Sequence, residues 1–221
     1  MDENTAETLY TKKDGYYAGT RAELFPFCPT SCKRVLDVGC GMGRFGKSIK
    51  DAYHAEVWGI DISEEAIQSA AMVLDKAFCA DIAAALQMLP DSYFDTIFFN
   101  DVLEHLVDPD SLLRTIASKL APGAVIVASI PNIRHYKVLH EILLKKDFKY
   151  VDAGILDRTH LRFFTRKSMV RMFESAGYRV LDTTPINRSK SAKPILYNLL
   201  SLGLIGNDIR YHQYVVRAAR P

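Results

Sequence analysis

The stretch VLDVGCGMGRFG, at residues 35–46, decides the fold of this chain. Its first residues favour a short buried strand, and Gly39, Gly41 and Gly43 predict a tight turn that leads into a helix. Glycine accepts positive φ and has no Cβ, so a nucleotide-like ligand could lie against bare backbone here. Asp37 lies near the carboxyl end of the strand, where open α/β sheets bind their ligands.

Two further strand ends carry acids. A predicted strand at 55–60 is followed by Asp61, and one at 76–80 is followed by Asp81. Asp61 comes roughly 20 residues after the glycine turn, where an acid can accept hydrogen bonds from two ribose hydroxyls. A glycine-rich turn alone is weak evidence, because NAD- and FAD-binding proteins also use one. The acids at three successive strand ends make the pattern specific.

This order of motifs resembles the class I S-adenosylmethionine-dependent methyltransferases over roughly residues 33–185. The resemblance implies S-adenosylmethionine as the cofactor and S-adenosylhomocysteine as its product. It implies that Asp37 and the glycine turn hold the methionine moiety, that Asp61 holds the ribose, and that Asp81 with Ile82 contacts the adenine. The cofactor-binding residues implied are Asp37, Gly39, Cys40, Gly41, Gly43, Asp61, Ile62, Asp81, Ile82 and Asn100.

Strands and helices alternate along the chain, which predicts a Rossmann-like, doubly wound sheet with helices on both faces. The sheet should be mostly parallel, with an antiparallel last strand at 210–218. We expect an N-terminal arm at 1–32 that covers the cofactor pocket, and a single domain at 33–221. Two segments break the rhythm, at 131–165 and 185–208, and are expected to be substrate-side inserts.

Some element boundaries rest on capping and helix-breaking residues. Ser63 predicts the N-cap of a helix at 63–74. A helix from Asp110 to Leu120 should end at Pro122-Gly123, and a strand should follow at 124–130.

The composition is that of an ordinary globular protein and mildly disfavours nucleic acid as a substrate. The chain has 221 residues, 48% of them hydrophobic and 24% charged, with a net charge of +2. A charge so close to neutral gives no strong attraction to nucleic acid or membranes. The sequence shows no secretory signal and no apolar run of about 18 residues, so a cytoplasmic location without a membrane span is expected.

No metal site is evident from the sequence. Cys28 and Cys32 form a single C-x3-C pair without a nearby histidine, which is poor spacing for zinc. The cysteines are expected to be reduced thiols. Some sugar O-methyltransferases use magnesium, but no cluster of acids with evident ligand spacing appears.

Asn100 to Leu106, NDVLEHL, follows the predicted fourth strand and resembles small-molecule O- and C-methyltransferases. It lacks the N-P-P-Y-type tetrad expected for methylation of adenine or glutamine nitrogen. It also lacks a cysteine that could attack a pyrimidine. Glu104 and His105 could contribute to catalysis, or they could orient the loop and cap the next helix.

The segment LDRTHLRFFT, at 156–165, contains the second candidate base. Histidine is a natural general base near neutral pH, and this role is predicted for His160. Arg158 and Arg162 could pair with a phosphate or carboxylate of the acceptor. Alternatively, Arg158 forms an internal ion pair with Asp157. The segment resembles those of bacterial methyltransferases of glycan, O-antigen and natural-product pathways.

The candidate residues of the acceptor side have polar or aromatic side chains. They lie in the N-terminal arm, after predicted strands or in the first insert. The candidate catalytic residues are His160 and His105, and the candidate substrate-binding residues are Tyr17, Asp101, Asn132, His135, Arg158 and Arg162.

We therefore expect methylation of an oxygen on a small polar acceptor such as a sugar, a nucleotide-sugar or a glycan or natural-product precursor. Methylation of nitrogen or carbon on a metabolite stays open, as does an RNA or protein substrate, although nucleic acid is disfavoured by charge. A non-catalytic cofactor-binding module would be expected to have a damaged glycine turn. An apolar helix near 195–202 could cover the active site or meet a second subunit in a homodimer.

Overall fold

The computed structural model describes residues 21–220 and contains a seven-stranded sheet of order β3-β2-β1-β4-β5-β7-β6. Strand β1 pairs in parallel with β2 and β4, β2 pairs in parallel with β3, and β6 is antiparallel to β7. This confirms the predicted Rossmann-like, mostly parallel sheet with an antiparallel last strand. The strands are β1 (Arg34–Val38), β2 (Glu56–Asp61), β3 (Lys76–Cys79), β4 (Phe94–Asn100), β5 (Leu120–Pro131), β6 (Arg179–Arg188) and β7 (Tyr211–Ala219).

Helices surround this sheet. The α-helices are α1 (Arg44–Tyr53), α2 (Glu64–Ala70), α3 (Ile82–Ala85), α4 (Pro109–Ile116), α5 (Tyr136–Leu143), α6 (Arg166–Ser175) and α7 (Lys193–Leu200). Short 3-10 helices cover Ala22–Phe27, Leu86–Met88, Leu103–His105, Ala117–Lys119 and Asn207–Arg210. Within residues 21–220, no helix is both long and apolar enough to cross a membrane.

The chain divides into two compact units. The first contains the described residues up to Asn100 together with Arg114–Val127, and the second contains Asp101–Leu113 and Ala128–Ala219. The first unit therefore carries β1 to β4 with the glycine turn, and the second carries β6, β7 and both predicted inserts. The expectation of one domain over 33–221 stays a prediction.

The core of the first unit is built on β4, whose Ile97, Phe98 and Phe99 are completely buried. A strand that is covered on both faces reads as a continuous apolar run, which explains why this strand was predicted from the sequence. The Trp58 ring packs edge-on against Phe94 with 5.3 Å between centroids, so β2 and β4 share this aromatic cluster.

Capping side chains lie at the start of two helices, and the Ser63 cap confirms its prediction. The Ser63 side chain accepts a hydrogen bond from the Ala66 amide at 3.2 Å, and Thr165 forms a capping box with Ser168 at the start of α6. Helix ends were predicted less well. The helix predicted at 63–74 ends at Ala70 and continues as turns.

Strand β5 begins at Leu120 and therefore includes Pro122 and Gly123. The prediction that these two residues lie between a helix and a strand at 124–130 is wrong. Both residues are exposed and lie near the start of the strand, where the missing proline amide is tolerated. The preceding helix also ends earlier than predicted, because α4 stops at Ile116 and a 3-10 turn follows. The first insert contains α5, a helix that the sequence did not predict.

Candidate functional site

The glycine turn after β1 adopts the conformation that the sequence predicted. Gly39, Gly41 and Gly43 have φ angles of 71°, 52° and 75°, a region that favours glycine. The amides of Gly39 and Cys40 both donate to the carbonyl oxygen of Ile60, at 2.8 and 3.0 Å. These bonds hold the turn against the carboxyl end of β2.

The Asp61 carboxylate completes this attachment. Its Oδ2 accepts the Gly41 amide at 2.8 Å and its Oδ1 accepts the Ser63 amide at 2.9 Å. Each carboxylate oxygen has further acceptor capacity, so the two ribose hydroxyls predicted to bind Asp61 remain compatible with this geometry. A Cβ at Gly59 would lie 2.6 Å from Cys40 Sγ, so the turn and β2 approach closely because residue 59 is glycine.

Asp37 is the most perturbed carboxyl of the first unit. It is 1% exposed, and neither oxygen accepts a well-aligned hydrogen bond from the residues that the structure describes. Burial, and then the like charge of Asp61, raises its pKa to about 7. Arg21 and the Gly46 amide oppose this increase more weakly. A buried carboxyl with unused acceptors fits the ammonium group of the methionine moiety of S-adenosylmethionine.

The remaining predicted cofactor residues occupy varied positions. Asp81 is exposed and caps α3 by accepting the Ala83 amide at 2.8 Å. Ile62 is 50% exposed beside Asp61, and Ile82 is buried. Asn100 ends β4, and its Oδ1 is buried without a hydrogen bond within residues 21–220. Adenine contact by Asp81 and Ile82 stays a prediction.

In the second unit, the structure brings together both candidate catalytic histidines and Glu104. The rings of His105 and His160 meet edge to face with 4.7 Å between centroids, and His160 Nε2 lies 4.0 Å from Glu104 Oε1. The Leu161 and Arg162 amides donate to the Glu104 carbonyl oxygen at 2.9 and 3.0 Å. These two backbone bonds join the loop after β4 to the segment around His160.

Backbone carbonyls fix the orientation of both imidazoles. His160 Nδ1 lies 2.9 Å from the Ile155 oxygen, and His105 Nδ1 lies 3.1 Å from the Thr159 oxygen. A carbonyl only accepts, so we assign the proton of each neutral ring to Nδ1. The lone pair of each ring is then on Nε2, where it can take a proton or bind a metal.

Glu104, His105 and His160 could hold a metal ion. One ligand atom from each lies within 4.8 Å of the other two. No metal site was predicted from the sequence, because the acids show no cluster and His160 is far from Glu104 and His105 in the chain. The only sequence signal was the adjacent Glu104-His105 pair together with the isolated His160.

The arginines predicted to bind the acceptor have protein partners. Arg158 is exposed and pairs with Asp152 at 2.6 Å. Asp157 accepts the amide and hydroxyl of Thr159, at 2.9 and 2.7 Å, and its ion pair with Arg158 stays a prediction. The Arg162 Nε donates to the Val107 carbonyl oxygen at 3.2 Å.

Asn132 has a positioning role in the structure. It is fully buried, and its amide nitrogen donates to the backbone oxygens of Asp208 and Tyr211, both at 3.0 Å. Its side-chain oxygen accepts the Arg134 amide at 3.1 Å. These three partners of the amide group all lie within the protein, between the end of β5 and the start of β7.

A second polar group of this unit contains two residues that the sequence analysis missed, His212 and Gln213. His212 packs against His135, with 5.1 Å between ring centroids, and Gln213 donates to Asp101 Oδ1. Burial lowers the pKa of His135 to about 4, with a smaller effect from His212, so this ring is neutral near pH 7. Tyr17, the remaining substrate candidate, lies outside the described residues.

The comparisons with known proteins agree with this fold. A family model described as a methyltransferase domain matches residues 10–183. Ubiquinone biosynthesis O-methyltransferases of Neisseria meningitidis and Aeromonas salmonicida are 31% and 32% identical to this chain over 159 and 165 residues, 68% and 70% of it. The chain spans 66% of the length of each, just under two thirds.

A solved structure gives the same result for the fold. A methyltransferase from Archaeoglobus fulgidus, described as S-adenosylmethionine-dependent, superposes with a TM-score of 0.71 at 23% identity, covering 90% of this chain and 92% of that one. The chain belongs to the methyltransferase domain family. Its class is that of the S-adenosylmethionine-dependent methyltransferases, as predicted, and S-adenosylmethionine is the cofactor.

Replacement of Asp61 tests the ribose contact. Asp61→Ala should weaken S-adenosylmethionine binding by about 1–3 kcal/mol, because hydrogen bonds to a charged acceptor are lost. Isothermal titration calorimetry measures the affinity. Asp51→Ala, at an exposed acid of α1, is the control and should bind normally. Unchanged affinity in Asp61→Ala would remove this residue from the site.

The raised pKa of Asp37 predicts a pH-dependent stability. Since the folded-state pKa of about 7 exceeds the ordinary value of 3.8, folding favours the neutral form. This contribution is complete below about pH 4 and is lost as the pH rises through about 7. Without cofactor, the melting temperature of Asp37→Asn should therefore increase relative to wild type between pH 5 and pH 8. Asp91→Asn, at an exposed carboxyl, is the control, and its melting temperature should change relative to wild type only through loss of the Lys119 ion pair. A pH-independent difference in melting temperature for Asp37→Asn would contradict the assignment.

Proposed function

We propose that the protein transfers a methyl group from S-adenosylmethionine to an oxygen atom of a small acceptor, with His160 as the general base. The observation that carries this proposal is the fixed orientation of His160. Its Nδ1 faces the Ile155 carbonyl oxygen, and its Nε2 lies 4.0 Å from the buried Glu104 carboxyl. A base of this kind is what a hydroxyl acceptor needs.

The requirement follows from the chemistry of the acceptor atom. When bound, S-adenosylmethionine supplies an electrophilic methyl group. An alcohol oxygen is a weak nucleophile and must lose its proton as it attacks, whereas an amine that is already neutral needs no such base. His160 Nε2 takes the proton, and the Glu104 carboxylate then stabilises the imidazolium that forms.

The side chains of the first unit prepare the cofactor end of the reaction. Asp61 would hold the ribose hydroxyls on oxygens that the Gly41 and Ser63 amides already orient. Asp37 would accept the ammonium group of the methionine moiety, and a nearby positive charge favours its ionised form. These contacts orient the cofactor without taking part in proton transfer.

A sugar, a nucleotide-sugar or a glycan or natural-product precursor is the acceptor class that we propose. The polar groups around Asp101, His135 and Arg162 suit an acceptor with several hydroxyls, which can form hydrogen bonds to carboxylate, imidazole and guanidinium groups. The names of the relatives add support for a small-molecule oxygen acceptor. They also make a ring hydroxyl of a quinone precursor the second candidate.

A search for the acceptor tests the reaction class. Purified protein would be incubated with S-adenosylmethionine labelled in its methyl group and with a cell extract separated into small-metabolite, lipid-linked glycan and RNA fractions. We expect label in a small-molecule or glycan product that mass spectrometry shows to carry an O-methyl group. Label in RNA, or on a nitrogen or carbon atom, would contradict the proposal.

With that acceptor, His160→Gln tests the base. Loss of a general base should reduce kcat by about 10²–10⁴-fold, while calorimetry should show unchanged affinity for S-adenosylmethionine. His54→Gln, at an exposed histidine of the first unit, is the matched control. Wild-type turnover in His160→Gln would retire the base. If a chelator abolished the activity and magnesium restored it, the Glu104–His105–His160 cluster would be a metal site and His160 would not be the base.

A further inference from the structure

Helix α7 exposes an unusual row of large apolar side chains. Ile195, Leu196, Leu199 and Leu200 are 53%, 50%, 70% and 72% exposed, and their spacing places them on one side of the helix. Pro194, on the other side, is buried. An apolar face of this size that stays exposed among residues 21–220 indicates a surface for interaction.

The turn after α7 continues this surface with two more leucines. Leu202 and Leu204 are 90% and 88% exposed. The turn is nevertheless well hydrogen-bonded, since the Gly203 amide donates to the Asn198 carbonyl oxygen at 2.7 Å and the Gly206 amide to Asn198 Oδ1 at 2.9 Å. The backbone therefore holds these leucines away from the protein, and they form an ordered apolar tip.

Contacts on both sides of the turn attach this segment to the rest of the second unit. The Tyr197 hydroxyl lies 2.8 Å from His140 Nδ1 on α5, and the two rings stack with 6.2 Å between centroids. Beyond the turn, Asp208 pairs with Arg134 at 2.5 Å. The leucine tip, defined here as Ile195, Leu196, Leu199, Leu200, Leu202 and Leu204, is thus presented on a fixed support.

The charged residues within this segment are all basic. Between Thr183 and Asn207 the sequence contains Arg188, Lys190 and Lys193 but no aspartate or glutamate. All three cations are exposed, and none forms an ion pair within residues 21–220. Elsewhere the charges nearly balance, because the whole chain has a net charge of only +2.

We propose that the leucine tip and these three cations dock the protein on an anionic lipid surface. Leucines that enter the boundary between headgroups and acyl chains, with lysines and arginines at the headgroup level, form the pattern of interfacial membrane binding. The chain needs no membrane-spanning helix for such binding. The segment lies beyond residues 10–183, which match the family model, so the proposal concerns this chain rather than the family.

A second copy of the chain is the less favoured occupant. Two copies that met tip to tip would each bring the same positively charged rim, with no acid in the segment to oppose it. An anionic bilayer satisfies both features of the surface at once, because its headgroups neutralise the cations while its acyl region takes the leucines.

Vesicle co-sedimentation of the full chain tests the proposal. We expect binding to phosphatidylcholine vesicles that contain about one third phosphatidylglycerol, at least ~10-fold weaker binding to pure phosphatidylcholine, and a decline with added salt. The triple variant Leu199→Ser, Leu202→Ser, Leu204→Ser should lose at least ~10-fold of the binding. The variant Arg188→Gln, Lys190→Gln, Lys193→Gln should lose its preference for anionic vesicles.

The control variant is Met72→Ser with Val107→Ser, which removes side chains of 80% and 72% exposure from other surfaces. It should bind vesicles like the wild type. Calorimetry with S-adenosylmethionine shows that each variant is folded, and no methyl acceptor is needed. The proposal would be overturned if the leucine variant bound vesicles as well as the wild type, or if the wild type did not bind them. It would also be overturned if light scattering showed a wild-type dimer that the leucine variant converts to a monomer.

Discussion

The hydrogen bond from the Gly41 amide to the Asp61 carboxylate is the interaction on which the cofactor end of the molecule depends. It joins the turn after β1 to the end of β2, beside the two amides that donate to the Ile60 carbonyl oxygen. The turn can approach this closely because Gly59 has no side chain facing Cys40. One carboxylate thus shapes the backbone of the turn and offers acceptors to a ligand.

The cofactor end could be predicted from sequence because its determinants are local. A buried strand, a turn that needs positive φ and an acid at the next strand end each occupy a few consecutive residues, such as those from Asp37 to Gly43. Backbone sterics give such a motif few alternatives. The mostly parallel sheet could also be predicted, since strands that alternate with helices favour parallel crossovers.

The acceptor end could be predicted only as a set of residue types. His105 and His160 were both identified, but their contact with each other and with Glu104 depends on how the loop after β4 meets the insert. For Arg158 the sequence indicated only its neighbour Asp157 as an acidic partner, and the folded loop brings Asp152 to it from farther along the chain. Likewise, the sequence around Pro122 predicts a break between a helix and a strand, and only the structure shows that Pro122 lies exposed near the start of β5.

Ligand binding and folding are linked in the first unit through Asp37. The protein keeps this carboxyl buried near Asp61, so without a cation the ionised form is disfavoured and its pKa is about 7. An ammonium group beside it favours the charged form, because two opposite charges in a poorly solvated site attract strongly. Burial of the ionised Asp37 carboxylate destabilises the empty protein, and a bound ammonium group offsets this loss of stability. This effect adds to the stabilisation that any ligand gives to the folded state that it binds. A buried carboxyl of this kind therefore lowers the stability of the folded protein until a ligand of opposite charge binds beside it.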